Sequence, residues 1–147
     1  MTRIEKSIEI KASPQEIWPL ISWDKVPTWM SQIKKAEYSS KEKEGVGGVA
    51  HVCGKAGGVK SEWDAETTEW TEYSRVAWRS VAGTFTGFGS MTLFRSKNST
   101  VAVFMVDYDL PYSISGNIVN KLRFHRALEK GVAIGLERLK ATLEAKK

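Results

Sequence analysis

One histidine and one glutamate stand four residues apart toward the C-terminal end of the chain. His125 and Glu129 fall in a long helical pattern, where residues i and i+4 are neighbours on one face. If they face a cavity, they could act as a general base on a bound molecule or anchor its polar group. The alternative is a histidine whose edge is solvated near the start of the helix, which is common for this residue type.

Two other polar side chains are candidates for contact with a ligand. Tyr108 lies near the end of a predicted strand, where its hydroxyl could bind a ligand or be satisfied within the core. His51 alternates with Val49 and Cys53 and could line a pocket, although a structural role is the commoner one. Cys53 has no basic neighbour in the sequence that would activate its thiol, so we interpret it as unreactive.

Motifs for metals and phosphates are missing from the sequence. The chain has two histidines and one cysteine, without the spacing of metal ligands. Its glycine clusters lack the phosphate-binding pattern, since Gly54 and Lys55 are followed by Ala56. We therefore expect neither a metal nor a diffusible cofactor.

Tryptophan is frequent, with 6 residues in a chain of 147. Trp23, Trp29, Trp63 and Trp78 could offer a stacking surface to a flat or greasy ligand. They could also simply fill the core as large apolar side chains. Both interpretations place these side chains inside the fold.

The composition is that of one globular domain. With 147 residues, 41% of them hydrophobic and 27% charged, the chain fits a single domain over residues 1–147. One cysteine excludes an internal disulfide. The longest apolar run, from Val101 to Val106, is too short for a membrane span or a signal-peptide core. We therefore expect a cytoplasmic protein.

The net charge of +5 is concentrated at one end of the chain. Residues 1–120 carry 14 basic and 14 acidic side chains, whereas residues 121–147 carry eight basic and three acidic ones. We call Arg123, Arg126 and Lys130 the basic stripe. It could meet an anionic membrane surface, but we favour positive charge that complements the helix dipole. We expect no nucleic-acid partner.

Hydrophobic periodicity predicts the order strand, short helices, six strands and long helix. Residues 3–11 alternate as a half-buried strand, and Ser13-Pro14-Gln15-Glu16 is a capping box that begins a short helix. A second short helical piece follows around Pro27, and the period is two over residues 32–109. Residues 115–145 form the long helix. Its apolar stripe consists of Ile118, Leu122, His125, Leu128, Val132, Leu136, Leu139 and Leu143, with Gly131 and Gly135 beside it.

Turn positions assign side chains to the faces of the strands. A two-residue turn at Thr71-Glu72 would pair Trp63 with Ser80 and point Trp63 and Trp78 inward. The same register would leave Asp64 and Arg79 in solvent. A turn at Lys97-Asn98 would pair Met91 with Phe104, but both faces of that hairpin are partly apolar. The pattern alone therefore leaves its inward face open.

These pieces together resemble the START/Bet v 1-like superfamily (SRPBCC), in particular its polyketide cyclase/dehydrase-like members. The resemblance spans nearly the whole chain, and it rests on the order and spacing of the matching segments. The matching segments are residues 12–18, 27–29, 69–70, 75–80, 89–93, 100–111 and 136–144.

The resemblance implies an α+β helix-grip fold. A curved antiparallel sheet of about seven strands would wrap the long C-terminal helix, with two short helices after the first strand and an apolar cavity inside. It also implies that Met91, Leu93, Ala102, Phe104, Val106 and Tyr108 face the core. We call the alternating set, Phe88, Phe94, Val101, Val103 and Met105, the outer apolar patch, over which we expect a homodimer or a covering element.

Three functions are consistent with the sequence. We favour the binding of a hydrophobic small molecule, such as a lipid, a polyketide-like or an isoprenoid compound. The alternatives are a cyclase or dehydratase that uses His125 and Glu129, and an interaction module that uses the basic stripe. The expected ligand-binding residues are Trp29, Trp63, Trp78, Met91, Phe104, Tyr108, His125 and Val132.

Overall fold

A seven-stranded antiparallel sheet and one long helix form the fold. The computed structural model describes residues 2–110 and 118–145. Its strands are β1 (Thr2–Ile10), β2 (Ile33–Tyr38), β3 (Val49–Ala56), β4 (Val59–Thr71), β5 (Arg75–Gly83), β6 (Thr86–Arg95) and β7 (Thr100–Asp109). Its helices are α1 (Pro14–Ile17), two 3-10 helices (Trp18–Leu20 and Trp23–Thr28) and α2 (Ile118–Glu144).

The strands are arranged in the order β1-β7-β6-β5-β4-β3-β2. Each consecutive pair from β2 to β7 is a hairpin, and β1 closes the sheet on the far side of β7. This is the predicted helix-grip fold, with the sheet curled around α2. None of the described helices is both long enough and apolar enough to cross a bilayer.

The predicted capping box begins α1. The Ser13 hydroxyl accepts a hydrogen bond from the Glu16 backbone N–H at 3.2 Å, and the Glu16 carboxylate accepts one from the Ser13 N–H at 3.1 Å. Pro14 occupies the first turn, where a missing N–H costs no intrahelical bond. The chain therefore turns sharply from β1 toward the 3-10 helices that cover the open side of the sheet.

The β4–β5 register differs from the predicted one. Thr71 pairs with Arg75, so the connection has three residues, and Tyr73 adopts a left-handed conformation with φ 66°. Trp63 lies opposite Gly83 instead of Ser80, because the three-residue connection moves the pairing by three positions and the two irregular positions within β4 cancel each other at Trp63. The faces are nevertheless as predicted, since Trp63 and Trp78 are both buried and their rings lie 5.1 Å apart.

The β6–β7 register agrees with the turn predicted at Lys97-Asn98. Met91 pairs with Phe104 and Leu93 with Ala102. Met91 and Leu93 are buried, so the face implied by the family resemblance is the inner one. The outer apolar patch stands on the opposite face, as expected, with Phe88 44% and Phe94 57% exposed and its other members half-buried. A homodimer over this patch stays a prediction.

The buried stripe of α2 differs from the predicted one in its first turns. Leu122, which we expected on the stripe, is 49% exposed, whereas Phe124 is 3% exposed. Phe124, Leu128 and Val132 follow one another at four-residue spacing, so the inner face begins at the aromatic ring instead of at Leu122. The side chain of Ile118 lies outside the described residues.

The C-terminal end of α2 is tied to β1 and to the residue that follows it. The Lys140 ammonium donates to the Glu9 carbonyl at 2.8 Å, and the Glu144 carboxylate accepts from the Lys11 N–H at 2.9 Å. The hydrogen bond from Lys140 lowers the pKa of the Glu144 carboxyl. These contacts fix the angle at which the helix crosses the sheet.

The core consists of two clusters. One surrounds Leu136, Leu139 and Leu143 of α2 together with Ile10 and Ile17. The other surrounds Trp63, Trp78, Val52, Phe85 and Phe124 on the sheet and the start of α2. Four partly buried side chains pack against both clusters: Trp23, Ile33, Phe104 and Leu128.

Candidate functional site

A cavity of about 260 Å³ lies where the two core clusters meet. The four side chains shared by the clusters all line it, and so do members of each cluster, such as Met91 and Val132 of the first and Phe85 and Val106 of the second. The two halves of the core are therefore held apart by a space between the sheet and α2, where the resemblance implied one.

All six tryptophans of the chain line this cavity. They come from three places in the fold: the segment after β1, strand β4 and strand β5. They are Trp18, Trp23, Trp29, Trp63, Trp70 and Trp78. The wall therefore presents a large, rigid and mostly apolar surface.

Three of these rings form one cluster. Trp23 meets Trp63 and Trp78 edge-on, with ring centroids 5.6 and 5.5 Å apart. Gly89 lies opposite Trp78 on β6, and a Cβ atom there would overlap the Trp78 ring. The absence of a side chain on β6 thus decides where the Trp78 ring lies.

Trp29 is held by a polar contact at its edge. Its indole N–H donates to the Leu20 carbonyl at 2.7 Å, and the residue is 3% exposed. On the helix side, a Cβ atom at Gly135 would lie 3.1 Å from the Trp29 carbonyl oxygen. Gly135 therefore lets α2 lie close against the segment that leads into β2.

Charged side chains occur in the cavity wall only where the wall meets solvent, among the described residues. Asp24, Lys43, Glu44 and Lys55 are all exposed. They mark a rim between the second 3-10 helix, the β2–β3 connection and the end of β3. The interior is uncharged, which suits an apolar molecule.

Tyr38 joins the rim to the interior. Its hydroxyl accepts a hydrogen bond from the Trp23 backbone N–H at 3.0 Å, which links β2 to the 3-10 helix that covers it. Burial is the main reason that the pKa of the Tyr38 phenol is raised, with smaller contributions from the carboxylates of Asp24 and Glu44. Tyr38 therefore remains a neutral phenol at physiological pH.

Most of the residues expected to contact a ligand lie in the cavity wall. These are Trp29, Trp63, Trp78, Met91, Phe104 and Val132. Whether they contact a ligand stays a prediction.

Tyr108 and His125, which we also expected there, are not among the lining residues. Phe85 stacks on the Tyr108 ring at 5.7 Å and Phe124 meets its edge at 5.5 Å. These two phenyl rings line the cavity themselves and stand in front of Tyr108. This arrangement arises because the first turns of α2 are rotated relative to the predicted stripe, so that Phe124 takes the inner position.

Tyr108, His125 and Glu129 form a small polar chain beside the cavity. A hydrogen bond of 3.0 Å joins the Tyr108 hydroxyl to Nδ1 of His125, and Nε2 of His125 lies 3.9 Å from the Glu129 carboxylate. Burial, with a smaller contribution from Glu129, raises the pKa of Tyr108 to about 12. Glu129 is also absent from the cavity wall and its side chain is 48% exposed. The predicted helical pair therefore exists, but it faces Tyr108.

A second polar cluster lies on the outer face of β3 and β4. His51 hydrogen bonds through Nδ1 to Asp64 and through Nε2 to Glu62, both at 2.7 Å. These two carboxylates raise the pKa of His51. The ligand atoms of His51, Cys53 and Glu62 lie within 4.8 Å of one another, a spacing that a metal could bridge. A metal there would have to displace a carboxylate from the imidazole, and His51 does not line the cavity.

Several lining residues escaped the sequence analysis. Phe85 lies in the short connection before β6 but continues the alternation of Gly87 and Gly89, so that period could have identified it. Gln32 directly precedes β2, whose register shifts between Ile33 and Lys35, so the period does not reach it. Phe124 could have been found from its four-residue spacing to Leu128 and Val132. All three residues of the basic stripe are exposed, and Arg123 lies against the β3–β4 turn at Gly57.

A family model described as "Polyketide cyclase / dehydrase and lipid transport" matches residues 1–144. The chain belongs to this family. The description covers enzymes and carriers of small molecules, so membership supports a ligand-binding or cyclase role in general.

Solved structures share the fold of this family member over nearly its whole length. A protein from Thermus thermophilus is 21% identical, with a TM-score of 0.82 and 99% of both chains covered. A START superfamily protein from Mycobacterium smegmatis is 16% identical, with a TM-score of 0.76 and 99% of both chains covered. An aromatase/cyclase from Streptomyces sp. R1128 is 14% identical, with a TM-score of 0.79, covering 97% of this chain and 93% of that one. At these identities the similarity shows the START/Bet v 1-like fold.

Proposed function

We propose that this protein binds a hydrophobic small molecule, such as a lipid, a polyketide-like or an isoprenoid compound, in the cavity between the sheet and α2. The observation that supports the proposal is the cavity itself, which all six tryptophans line and whose charged side chains are confined to the exposed rim. An apolar space of this kind loses contacts on every wall when empty, so an apolar occupant restores them.

The size of the cavity limits the ligand. Ligand pockets commonly measure ~300–1,000 Å³, and this one, at about 260 Å³, is slightly smaller than that range. We therefore expect a compact molecule of one or two rings, or a short chain, instead of a long two-chain lipid.

Native mass spectrometry of the freshly purified protein tests whether an apolar molecule co-purifies with it. A titration with indane, a compact hydrocarbon, complements it, because a ligand in this cavity would change the fluorescence of tryptophans that all line it. Bound mass or saturable fluorescence change is the expected result.

A blocking variant and its matched control locate the site. Val132 is fully buried in the cavity wall, whereas Ile134, two residues along α2, is 39% exposed and outside it. Val132→Phe should abolish indane binding, and Ile134→Phe should leave it unchanged, with a melting curve for each variant to confirm folding. A folded Val132→Phe variant that binds as well as the unmodified protein would contradict the proposal.

The cyclase alternative predicts turnover as well as binding. Its proposed acid–base residues, His125 and Glu129, lie outside the cavity wall. Incubation with a linear polyketone followed by product analysis distinguishes the alternatives, since a carrier returns the molecule unchanged.

A further inference from the structure

Gln32 is a buried polar residue whose hydrogen-bonding capacity is unused. It is 7% exposed and lies in the wall of the cavity. Its Oε1 and Nε2 atoms are both buried, and neither has a hydrogen-bond partner in the described part of the chain. A primary amide offers two donors and two acceptor sites, and buried groups of this kind are nearly always paired in native proteins. The exception therefore requires an explanation.

The backbone around Gln32 is held in place. Its carbonyl accepts a hydrogen bond from the Lys55 N–H at 2.8 Å, and the N–H of Ile33 donates to the Met30 carbonyl at 3.1 Å. The amide is therefore carried by a segment that is anchored on both sides, next to the first residue of β2.

Space for the amide comes from a glycine in α2. A Cβ atom at Gly131 would lie 2.6 Å from Oε1, 2.7 Å from Cδ and 2.9 Å from Nε2 of Gln32. These three similar distances show that the flat amide lies across the helix at this point. Glycine weakens a helix relative to alanine, so the helix is less stable at the position where the amide needs room.

Neither the unpaired amide of Gln32 nor the glycine at position 131 stabilises the protein without a ligand. An apolar side chain at position 32 would fill the same space without an unpaired donor and acceptor, and alanine at position 131 would strengthen α2. The amide packs against Gly131 through its face, no described residue pairs with its hydrogen-bonding edge, and both edge atoms are covered in the empty protein, so a ligand would reach them once the side chain turns toward the cavity. Both features become useful when a molecule in the cavity supplies the missing partner.

We propose that Gln32 is the polar anchor of the bound molecule, which therefore has an apolar, ring-containing body and one uncharged carbonyl or hydroxyl group. A carbonyl would accept from Nε2 and a hydroxyl would donate to Oε1. The group is uncharged because the charged side chains stay at the rim, and an ionised group beside a neutral amide would be buried without a counter-charge. This inference rests on the proposed function of the cavity.

Three bicyclic probes of one size test it: indane, 1-indanone and 1-indanol. Dissociation constants are measured by tryptophan fluorescence for the unmodified protein and for Gln32→Met, which keeps the length of the side chain and removes the amide. We expect Gln32→Met to weaken binding of the ketone and of the alcohol about tenfold, as for the loss of one hydrogen bond. Binding of indane should stay the same or tighten.

A second variant leaves the amide in place but moves it. Gly131→Ala pushes the Gln32 side chain away from the helix, so it should also weaken ketone and alcohol binding while sparing indane. The melting temperature of Gln32→Met without probe should match or exceed that of the unmodified protein, because this variant removes the unpaired amide. A melting curve of Gly131→Ala confirms that it folds.

The outcomes separate the two proposals. If the unmodified protein binds indane but Gln32→Met changes all three probes equally, or changes none, the anchor is refuted and the cavity function stands. If the folded, unmodified protein binds none of the probes, the cavity function fails and the anchor fails with it.

Discussion

The hydrogen bond between Tyr108 and His125 offers the sharpest test of how the polar chain relates to the cavity. Tyr108 is 3% exposed and its hydroxyl lies 3.0 Å from Nδ1 of His125, whose side chain is 30% exposed. His125→Leu leaves the buried hydroxyl without this partner, which costs ~1–3 kcal/mol. Tyr108→Phe leaves only a partly solvated imidazole nitrogen, which costs about 1 kcal/mol.

The double variant completes the comparison. It removes both groups, so no polar atom of the pair is left unpaired. We expect a coupling free energy of about 1 kcal/mol between the two substitutions. Chemical denaturation of the four proteins measures it, and each kcal/mol corresponds to about 4 °C in Tm for a domain of this size. Glu129→Gln is the control, since its exposed carboxylate lies 3.9 Å from the imidazole and should contribute less than about 0.5 kcal/mol.

Ligand binding gives the second measurement on the same variants. His125 lies outside the cavity wall, so His125→Leu should leave the dissociation constant for indane unchanged. Strictly additive stability effects would refute the hydrogen bond. If a stable His125→Leu variant no longer binds indane, the placement of His125 outside the cavity wall is wrong. If the variant loses turnover of a polyketone, the cyclase alternative is favoured.

Other predictions concern the sheet and the surface of α2. Gly89→Ala should lower the free energy of unfolding by about 1–3 kcal/mol, because its methyl group meets the Trp78 ring and the Met105 carbonyl. This is the opposite of the usual effect, since alanine normally favours a strand over glycine. An unchanged denaturant unfolding curve would contradict the prediction. The carboxylates around His51 raise its folded pKa above the unfolded value of about 6.5. The stabilisation is therefore complete below that pH and is lost as the pH rises through the folded pKa. The effect is small because the ring is exposed, and a stability profile should lose this slope in His51→Gln. Reversing the basic stripe to glutamate should change stability by no more than about 0.5 kcal/mol per site and leave indane binding unchanged; loss of binding to anionic liposomes would support a membrane role. Sedimentation at high concentration should show a dimer formed through the outer apolar patch, and a monomer would remove that idea.

The sequence by itself determined the order of elements and most of the inner faces. Local rules suffice for these features: the capping box at Ser13 acts within one turn, and the two-residue turn at Lys97-Asn98 sets the whole β6–β7 ladder. The inward orientation of Trp63 and Trp78 survived an incorrect β4–β5 turn, because the irregularities in the ladder and the longer turn together preserved the side to which each residue points.

Only the tertiary structure decided which residues form the cavity wall. The rotation of α2 that buries Phe124 and leaves Leu122 exposed depends on what the sheet presents to the helix, and a helical wheel does not contain that information. The same rotation puts His125 against Tyr108, behind the phenyl rings. Gln32 and Gly131 are 99 positions apart in the sequence, and their contact exists only because α2 crosses the segment before β2. Contacts between distant segments depend on how elements pack, whereas periodicity reports only which face of one element is apolar.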